Sequence, residues 1–126
     1  MTQAYSLNVT AGAGAAFPLT NVYVDKGCNT EVVGAATIQL NKCGIYMVAC
    51  NGSAAAASTI QLTRNGVLQP QAQSTGTSPA FTTLIQVPQN NTNCCCTSPV
   101  TIQVVNPTTA SETLTSLNIV VTQLNK

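Results

Sequence analysis

The stretch from Cys43 to Gly66, CGIYMVACNGSAAAASTIQLTRNG, places the strongest constraint on how this chain can fold. Along residues 45–50, Ile45, Met47 and Ala49 alternate with Tyr46, Val48 and Cys50. A second alternating run, Ile60 to Arg64, ends in Asn65-Gly66. A period of two residues indicates a β-strand. Asn-Gly after such a run predicts a hairpin turn, because both turn residues must take positive φ. The stretch therefore predicts two strands and a tight turn, and we interpret it as a core strand pair.

The rest of the chain repeats this pattern in short segments bounded by turn residues. Further strands are predicted over 4–9, 17–24, 31–34, 36–40, 67–75, 78–87, 100–105 and 117–124. In the second of these segments, the residues expected to face inward are Phe17, Leu19, Val22 and Val24. The alanine-rich segment 51–59 predicts a loop or a strand edge rather than a helical turn, since Gly, Ser and β-branched residues flank the alanines. Pro70 predicts an edge strand or a bulge, because proline cannot donate to a sheet ladder.

About eight to ten short strands, spaced roughly 8 to 12 residues apart and without a helix of ordinary length, predict an all-β sandwich or barrel. The 126 residues fit one domain and leave no room for a second. We therefore expect a single domain over 1–126, with an amino-terminal strand and loop at 1–16 and the core at 17–125.

Charge is scarce in this sequence. Asp, Glu, Lys and Arg make up 6% of the chain, against about 25% in an average soluble domain. The net charge of +1 gives no electrostatic footprint for a nucleic acid or an anionic membrane. A surface without mutual repulsion between copies favours self-association, so we expect much of it to be covered by neighbouring subunits.

The amino terminus, MTQAYSLNVT, has neither a basic segment nor a long apolar core, so we expect no secretory signal and synthesis in a bacterial cytoplasm. Polar residues interrupt every apolar run before it reaches the roughly 20 residues that a membrane-spanning helix needs.

The order of these features resembles the jelly-roll family of the tumour-necrosis-factor cytokines and the globular head of the first complement component. The resemblance covers residues 17–125 and rests on four segments: Ile38-Gln39-Leu40, Gly44-Ile45-Tyr46, Leu62-Thr63-Arg64-Asn65-Gly66 and Leu117 to Leu124. It implies a ten-stranded jelly-roll β-sandwich and a homotrimer around a three-fold axis. The chain departs from the family in having no Trp and 4% aromatic residues, so its core is expected to consist of Val, Ile, Leu and Ala.

The cysteines of this chain are Cys28, Cys43, Cys50, Cys94, Cys95 and Cys96. We interpret them as a structural thiol cluster or as disulfides, and Cys28, Cys43 and Cys50 alternatively as small buried hydrophobes. Cys43 and Cys50 are assigned to one strand with opposite orientations, so they are not expected to pair.

The three consecutive cysteines, Cys94 to Cys96, raise the question of a metal site. On an extended chain they point alternately to opposite sides, and the sequence has no His and no C-x₂₋₄-C pair. A trimer would allow a ring of thiolates on its axis, and this alternative is retained. No metal and no cofactor is predicted.

Catalysis finds few candidate groups. His is absent, which removes the usual general base, and Asp25, Glu31 and Glu112 are the only carboxylates, so no enzyme is predicted. Arg64 and Asn65 at the hairpin are the candidate exposed contact, with a simple solvated arginine as the alternative.

The function expected from these features is that of a non-enzymatic structural protein of a phage virion, as a head decoration, head fibre or spike tip. Its expected partners are other copies of itself in a homotrimer, capsid or other virion proteins, and host-surface glycans. The alternative is a carbohydrate- or receptor-binding head domain on a bacterial spore or cell surface. A secreted cytokine-like ligand is disfavoured by the missing signal.

Overall fold

A computed structural model of the chain describes residues 1–25, 29–88 and 95–124, with the backbone alone for 95–99. The described residues form ten strands: β1 Thr2–Ala11, β2 Asn21–Asp25, β3 Thr30–Val33, β4 Thr37–Lys42, β5 Gly44–Ser53, β6 Ser58–Arg64, β7 Val67–Gly76, β8 Ala80–Val87, β9 Cys95–Val105 and β10 Glu112–Gln123. No helix in these ranges is long and apolar enough to cross a membrane.

The strands form two five-stranded antiparallel sheets. Sheet A has the order β2-β1-β10-β5-β8, and sheet B has the order β3-β4-β9-β6-β7. Each sheet places one face against the other, so alternate residues of the long strands enter a shared core. The predicted all-β jelly-roll sandwich is confirmed.

The core is mainly aliphatic. In β5, Tyr46, Val48 and Cys50 face inward and are buried, while the intervening residues are partly exposed. The largest fully buried side chains are Tyr46, Phe17, Ile38, Leu40, Ile60, Leu62, Ile85, Ile102, Leu114, Leu117, Ile119 and Val48. Burying each aliphatic side chain of this size stabilises the fold by about 1.5 to 3 kcal/mol. The Val, Ile and Leu predicted for the core are present, with Phe17 and Tyr46 added to them.

The amino-terminal strand lies inside sheet A. β1 pairs with β10 from Thr2↔Val121 to Ala11↔Glu112 and with β2 on its other side. Ala4, Val9 and Ala11 are buried in the common core. The first strand therefore contributes to the sandwich as fully as the closing strand does.

The predicted turn at Asn65-Gly66 is confirmed. Asn65 has φ 51° and Gly66 has φ 83°, the pair of positive values that a two-residue hairpin needs, and β6 pairs with β7 on either side. β7 is the edge strand of sheet B, and its pairing with β6 shifts register between Gln61 and Thr63. Pro70 thus lies on an edge strand beside an irregularity, as its chemistry predicts.

The interpretation of 43–66 as a strand pair is wrong. β5 pairs with β10 and β8 in sheet A, whereas β6 pairs with β7 and β9 in sheet B. Of the alanine-rich segment 51–59, only residues 54–57 lie outside the strands, and this short loop carries the chain from one sheet to the other. Alternation shows that both strands bury one face, but it does not identify the neighbours of either strand.

Two further expectations need correction. Phe17 and Leu19 are buried, but Val22 is 48% exposed, because β2 is a short edge strand at the rim of sheet A. β9 begins at Cys95, five residues before the predicted start at Val100. Its first residues look like a polar loop in sequence, but they extend a strand that pairs with β4.

Candidate functional site

The outer face of sheet A is nearly free of charge and combines apolar residues with neutral polar ones such as Gln3, Asn118 and Thr122. β1, β5 and β8 contain no charged residue, and β10 contains only Glu112. The apolar residues on this outer side are referred to below as the sheet A face. They are Tyr5, Leu7, Ile45, Met47, Ala49, Leu84 and Val120. Leu84 is 57% exposed, and a single exposed leucine would be ordinary on a monomer.

Strand register makes these apolar residues neighbours. Val120 lies opposite Ala49, and Met47 lies opposite Leu84. Directly opposed side chains in antiparallel strands lie about 4.5 to 5.5 Å apart, so these residues form two apolar pairs on neighbouring rows of the sheet. Thr82 on β8 completes the first row and Thr122 on β10 completes the second. Apolar groups clustered on an outer face, with neutral polar residues around them, are typical of an interaction surface.

The outer face of sheet B has the opposite character. Its outward positions are mostly neutral hydrogen-bonding residues: Thr37, Gln39, Thr59, Gln61, Thr63, Gln73, Thr75, Thr101 and Gln103. Some of them pair across strands; the Gln103 Nε2 donates to Thr37 Oγ1 at 2.8 Å, and the hydroxyls of Thr59 and Thr75 are 2.7 Å apart. The two sheets therefore present chemically different surfaces.

Of the six cysteines, Cys28 and Cys94 lie outside the described residues. The structure places Cys43 in the turn between β4 and β5, not on the strand that contains Cys50. Both are buried. Cys95 lies on β9 opposite Lys42, so the backbone of β9 passes close to the chain that leads into Cys43. Cys96 is the next residue of β9, so both cysteines belong to the strand that was predicted to begin only at Val100.

Cys50 is enclosed by the core. Burial raises the pKa of its thiol from 9.0 to about 12, because the thiolate would lose its hydration without gaining a partner charge. Among the side chains of residues 1–25, 29–88 and 100–124, no three His, Cys, Asp or Glu are grouped so as to hold a metal ion.

Arg64 and Asn65, the candidate exposed contact, both make hydrogen bonds within the chain. The Arg64 Nη2 donates to the carbonyl oxygen of Gln86 on β8 at 3.1 Å, joining sheet B to the edge of sheet A. The Asn65 Oδ1 accepts from the backbone N–H of Thr101 at 2.9 Å. These contacts fix the hairpin against its neighbours.

Sequence reasoning did not identify Asn106, which organises the loop between β9 and β10. Its fully buried side chain donates to the carbonyl oxygens of Ala11 and Ala110, and its Oδ1 accepts from the backbone N–H of Thr108 at 2.9 Å. The signal available in the sequence was the Asn106-Pro107 dipeptide, which favours turn initiation. This end of the sandwich is consequently held by side-chain hydrogen bonds.

Solved structures with the same architecture include two GITRL proteins of the tumour-necrosis-factor family. Rabbit GITRL has a TM-score of 0.56 and 11% sequence identity, with 95% of each chain covered. Pika GITRL has a TM-score of 0.50 and 12% identity, with 100% of this chain and 98% of the other covered. The predicted resemblance to a tumour-necrosis-factor-like jelly roll is confirmed at the level of the fold.

No family model matches the sequence, and no curated protein sequence matches it significantly. The likeness to these solved structures therefore extends to the fold, an all-β sandwich of two five-stranded sheets.

Proposed function

We propose that this chain is a non-enzymatic structural protein of a phage virion, a head decoration, head fibre or spike tip, that works as a homotrimer. The observation that carries the proposal is the sheet A face, a cluster of apolar residues on strands almost free of charge. Its natural partner is another copy of the chain: in a homotrimer one part of this face would contact a different part of the face on the next subunit, and closure of the ring covers it on every subunit.

The energetics favour this partner. An interface core is typically depleted of charged residues, because an ion that loses its water must be paired. Met47, Leu84 and Val120 require no such compensation. Covering them removes apolar area from water at about 25 cal/mol per Å².

The rest of the surface would contact capsid or other virion proteins, and host-surface glycans in a tip location. Polar side chains of sheet B and the loops at the sandwich ends supply hydrogen-bonding groups for these contacts. The assembled protein would therefore act through binding free energy alone, and its location would be the virion.

The three carboxylates fit a role without catalysis. Asp25 accepts a hydrogen bond from Thr2, Glu31 from Asn41, and Glu112 from the backbone N–H of Thr59. Each is engaged in a different part of the sandwich, whereas a hydrolase of the two-carboxylate kind needs a facing pair.

A second candidate is a carbohydrate- or receptor-binding head domain on a bacterial spore or cell surface. The observation that favours it is the neutral Thr and Gln surface of sheet B, since sugar hydroxyls are recognised by uncharged donors and acceptors. The trimer would then present three copies of this surface.

Mass spectrometry of density-purified phage particles tests the virion role. We expect the chain in a fixed ratio to the major capsid protein, and we expect Leu84→Lys to reduce its incorporation while Val67→Lys on sheet B does not. Recovery from spore or cell-envelope fractions alone would replace the first candidate with the second. Absence from all three fractions would contradict both.

A further inference from the structure

A cavity of about 270 Å³ opens on the outer side of sheet B. Thr63 on β6 forms the centre of its floor, with Gln103 directly opposite on β9 and Leu68 directly opposite on β7. One row of three side chains on adjacent strands thus gives the cavity a hydroxyl, an amide and an apolar group.

The walls of the cavity come from loops with little side-chain bulk. Gly14 and Gly66 have φ of 72° and 83°, and a Cβ placed on either would meet no atom within 4 Å. Pro107 adds an apolar ring on the same side. Gly14 is held by its backbone N–H, which donates to the carbonyl oxygen of Asn106 at 2.8 Å. The cavity is therefore open because two of its wall residues are glycines, and the loop that contains Gly14 is held in place by its hydrogen bond to Asn106.

The polar groups of the floor retain hydrogen-bonding capacity. The Thr63 hydroxyl reaches the Gln103 carbonyl oxygen only at 3.5 Å, the outer limit for such a bond. The Gln103 Nε2 donates to the Thr37 hydroxyl, and no group of the described residues donates a hydrogen bond to the Gln103 Oε1. The cavity thus offers a weakly engaged hydroxyl and an amide oxygen.

No charged residue lines this cavity. The nearest cationic side chain in sequence, Arg64, donates to Gln86 on sheet A. An anionic ligand would therefore lack a counter-charge. A purely apolar ligand would cover the weakly engaged Thr63 hydroxyl and the Gln103 Oε1 without supplying any further hydrogen bond to them.

We propose that this cavity binds a single neutral pyranose unit, the hexose of an uncharged glycan. Sugar hydroxyls would bond Thr63 and Gln103, while the C–H face of the ring would pack on Leu68 and Pro107. The volume suits one sugar ring, being below the usual range of drug-sized sites. This inference rests on the glycan contact of the proposed function and deepens it. It is independent of the assembly role, because the cavity lies on sheet B and stays open when the sheet A face is covered.

Titration of the ¹⁵N-labelled full chain tests the proposal, with the methyl glycosides of glucose, galactose and mannose as probes and glucuronate as the charged counterpart. We expect saturable shifts of the Gly14, Gly66 and Gln103 amides with at least one neutral glycoside. Affinity should be millimolar, because so few contacts form. Thr63→Val, which keeps the shape and removes the hydroxyl, should weaken binding by about fivefold or more.

The matched control is Thr75→Val, the same change on the same sheet outside the cavity, which should leave affinity unchanged. Gly14→Asn tolerates positive φ and fills the opening, so it should abolish binding in a chain that still folds. Absence of saturable shifts up to about 50 mM, equal weakening by Thr75→Val, or tightest binding of glucuronate would overturn the proposal. The mass of the same sample, measured separately, shows whether assembly survives.

Discussion

Gly52 occupies a close approach between two central strands of sheet A. A Cβ at this position would lie 2.9 Å from the backbone carbonyl oxygen of Ser116, a backbone atom that cannot move aside without disturbing β10. Glycine to alanine normally stabilises a chain whose φ permits it. Here the contact reverses the sign.

We predict that Gly52→Ala lowers the free energy of unfolding by about 1 to 3 kcal/mol, as overpacking does in other cores. Urea denaturation followed by circular dichroism measures the change. Gly12→Ala is the matched control, since a Cβ there meets nothing within 4 Å and its φ is not positive. An unchanged midpoint for Gly52→Ala would contradict the prediction, because it would mean that β5 and β10 can move apart at this position without loss of stability.

Cys50 makes stability depend on alkaline pH. Its thiol has a pKa of about 12 when folded against 9.0 when exposed. Between these values the unfolded chain gives up a proton that the folded chain retains. The contribution of the buried thiol to the free energy of unfolding is therefore complete below pH 9 and is lost as pH rises. The slope for one such proton is about 1.4 kcal/mol per pH unit.

We therefore predict that the unfolding free energy falls more steeply between pH 9 and pH 11 in the native chain than in Cys50→Ala. Urea midpoints across that range measure both slopes, and other thiols and tyrosines cancel in the comparison. Iodoacetamide should also label Cys50 only after unfolding. Parallel pH profiles for the two chains would rule out a buried thiol at this position.

The β6–β7 hairpin combines two requirements at Asn65. The backbone needs positive φ, and the side-chain oxygen accepts the backbone N–H of Thr101 on β9. Asparagine meets both, glycine meets only the first, and alanine meets neither.

We predict a stability order of native, then Asn65→Gly, then Asn65→Ala, with a total loss of about 1 to 3 kcal/mol from the lost acceptor and the strained φ. Thermal and urea denaturation measure the order. Asn65→Asp keeps the acceptor and tolerates positive φ, so it should lie near the native value. Equal stability of the glycine and alanine variants would show that the positive φ at residue 65 does not affect the stability of the hairpin.

Strands were more predictable from this sequence than their partners. Alternation in Ile45–Cys50 and Ile60–Arg64 depends on burial of one face, which is a local property. Which sheet each strand joins depends on the path of the intervening loop 54–57, and short polar and alanine residues are compatible with either path. The strand pair was therefore misassigned although both strands were found.

The candidate surfaces were less predictable for the same reason. Met47 and Leu84 belong to strands far apart in sequence, and only the β5–β8 register makes them neighbours. Gln103, Thr63 and Leu68 likewise meet through three strands of sheet B. The low charge of the chain indicated that surface would be covered, but it could not specify which face.

We predict that the protein forms its trimer through the sheet A face and not through sheet B. Leu84→Lys should yield monomers, because it places an ion in an apolar interface. Val67→Lys is the matched control: Val67 is 64% exposed on sheet B, comparable to Leu84, and its variant should assemble normally. Light scattering during size-exclusion chromatography distinguishes the species, and loss of assembly in both variants would place the interface elsewhere.

The mass of the native full chain in solution tests the central claim most directly. Three copies of the 13.0 kDa chain give about 39 kDa, and a closed three-fold ring predicts this single mass rather than a series of larger species. Light scattering or native mass spectrometry measures it without reference to ligand or host. A trimer mass would support assembly through the sheet A face, whereas a stable monomer at micromolar concentration would contradict it.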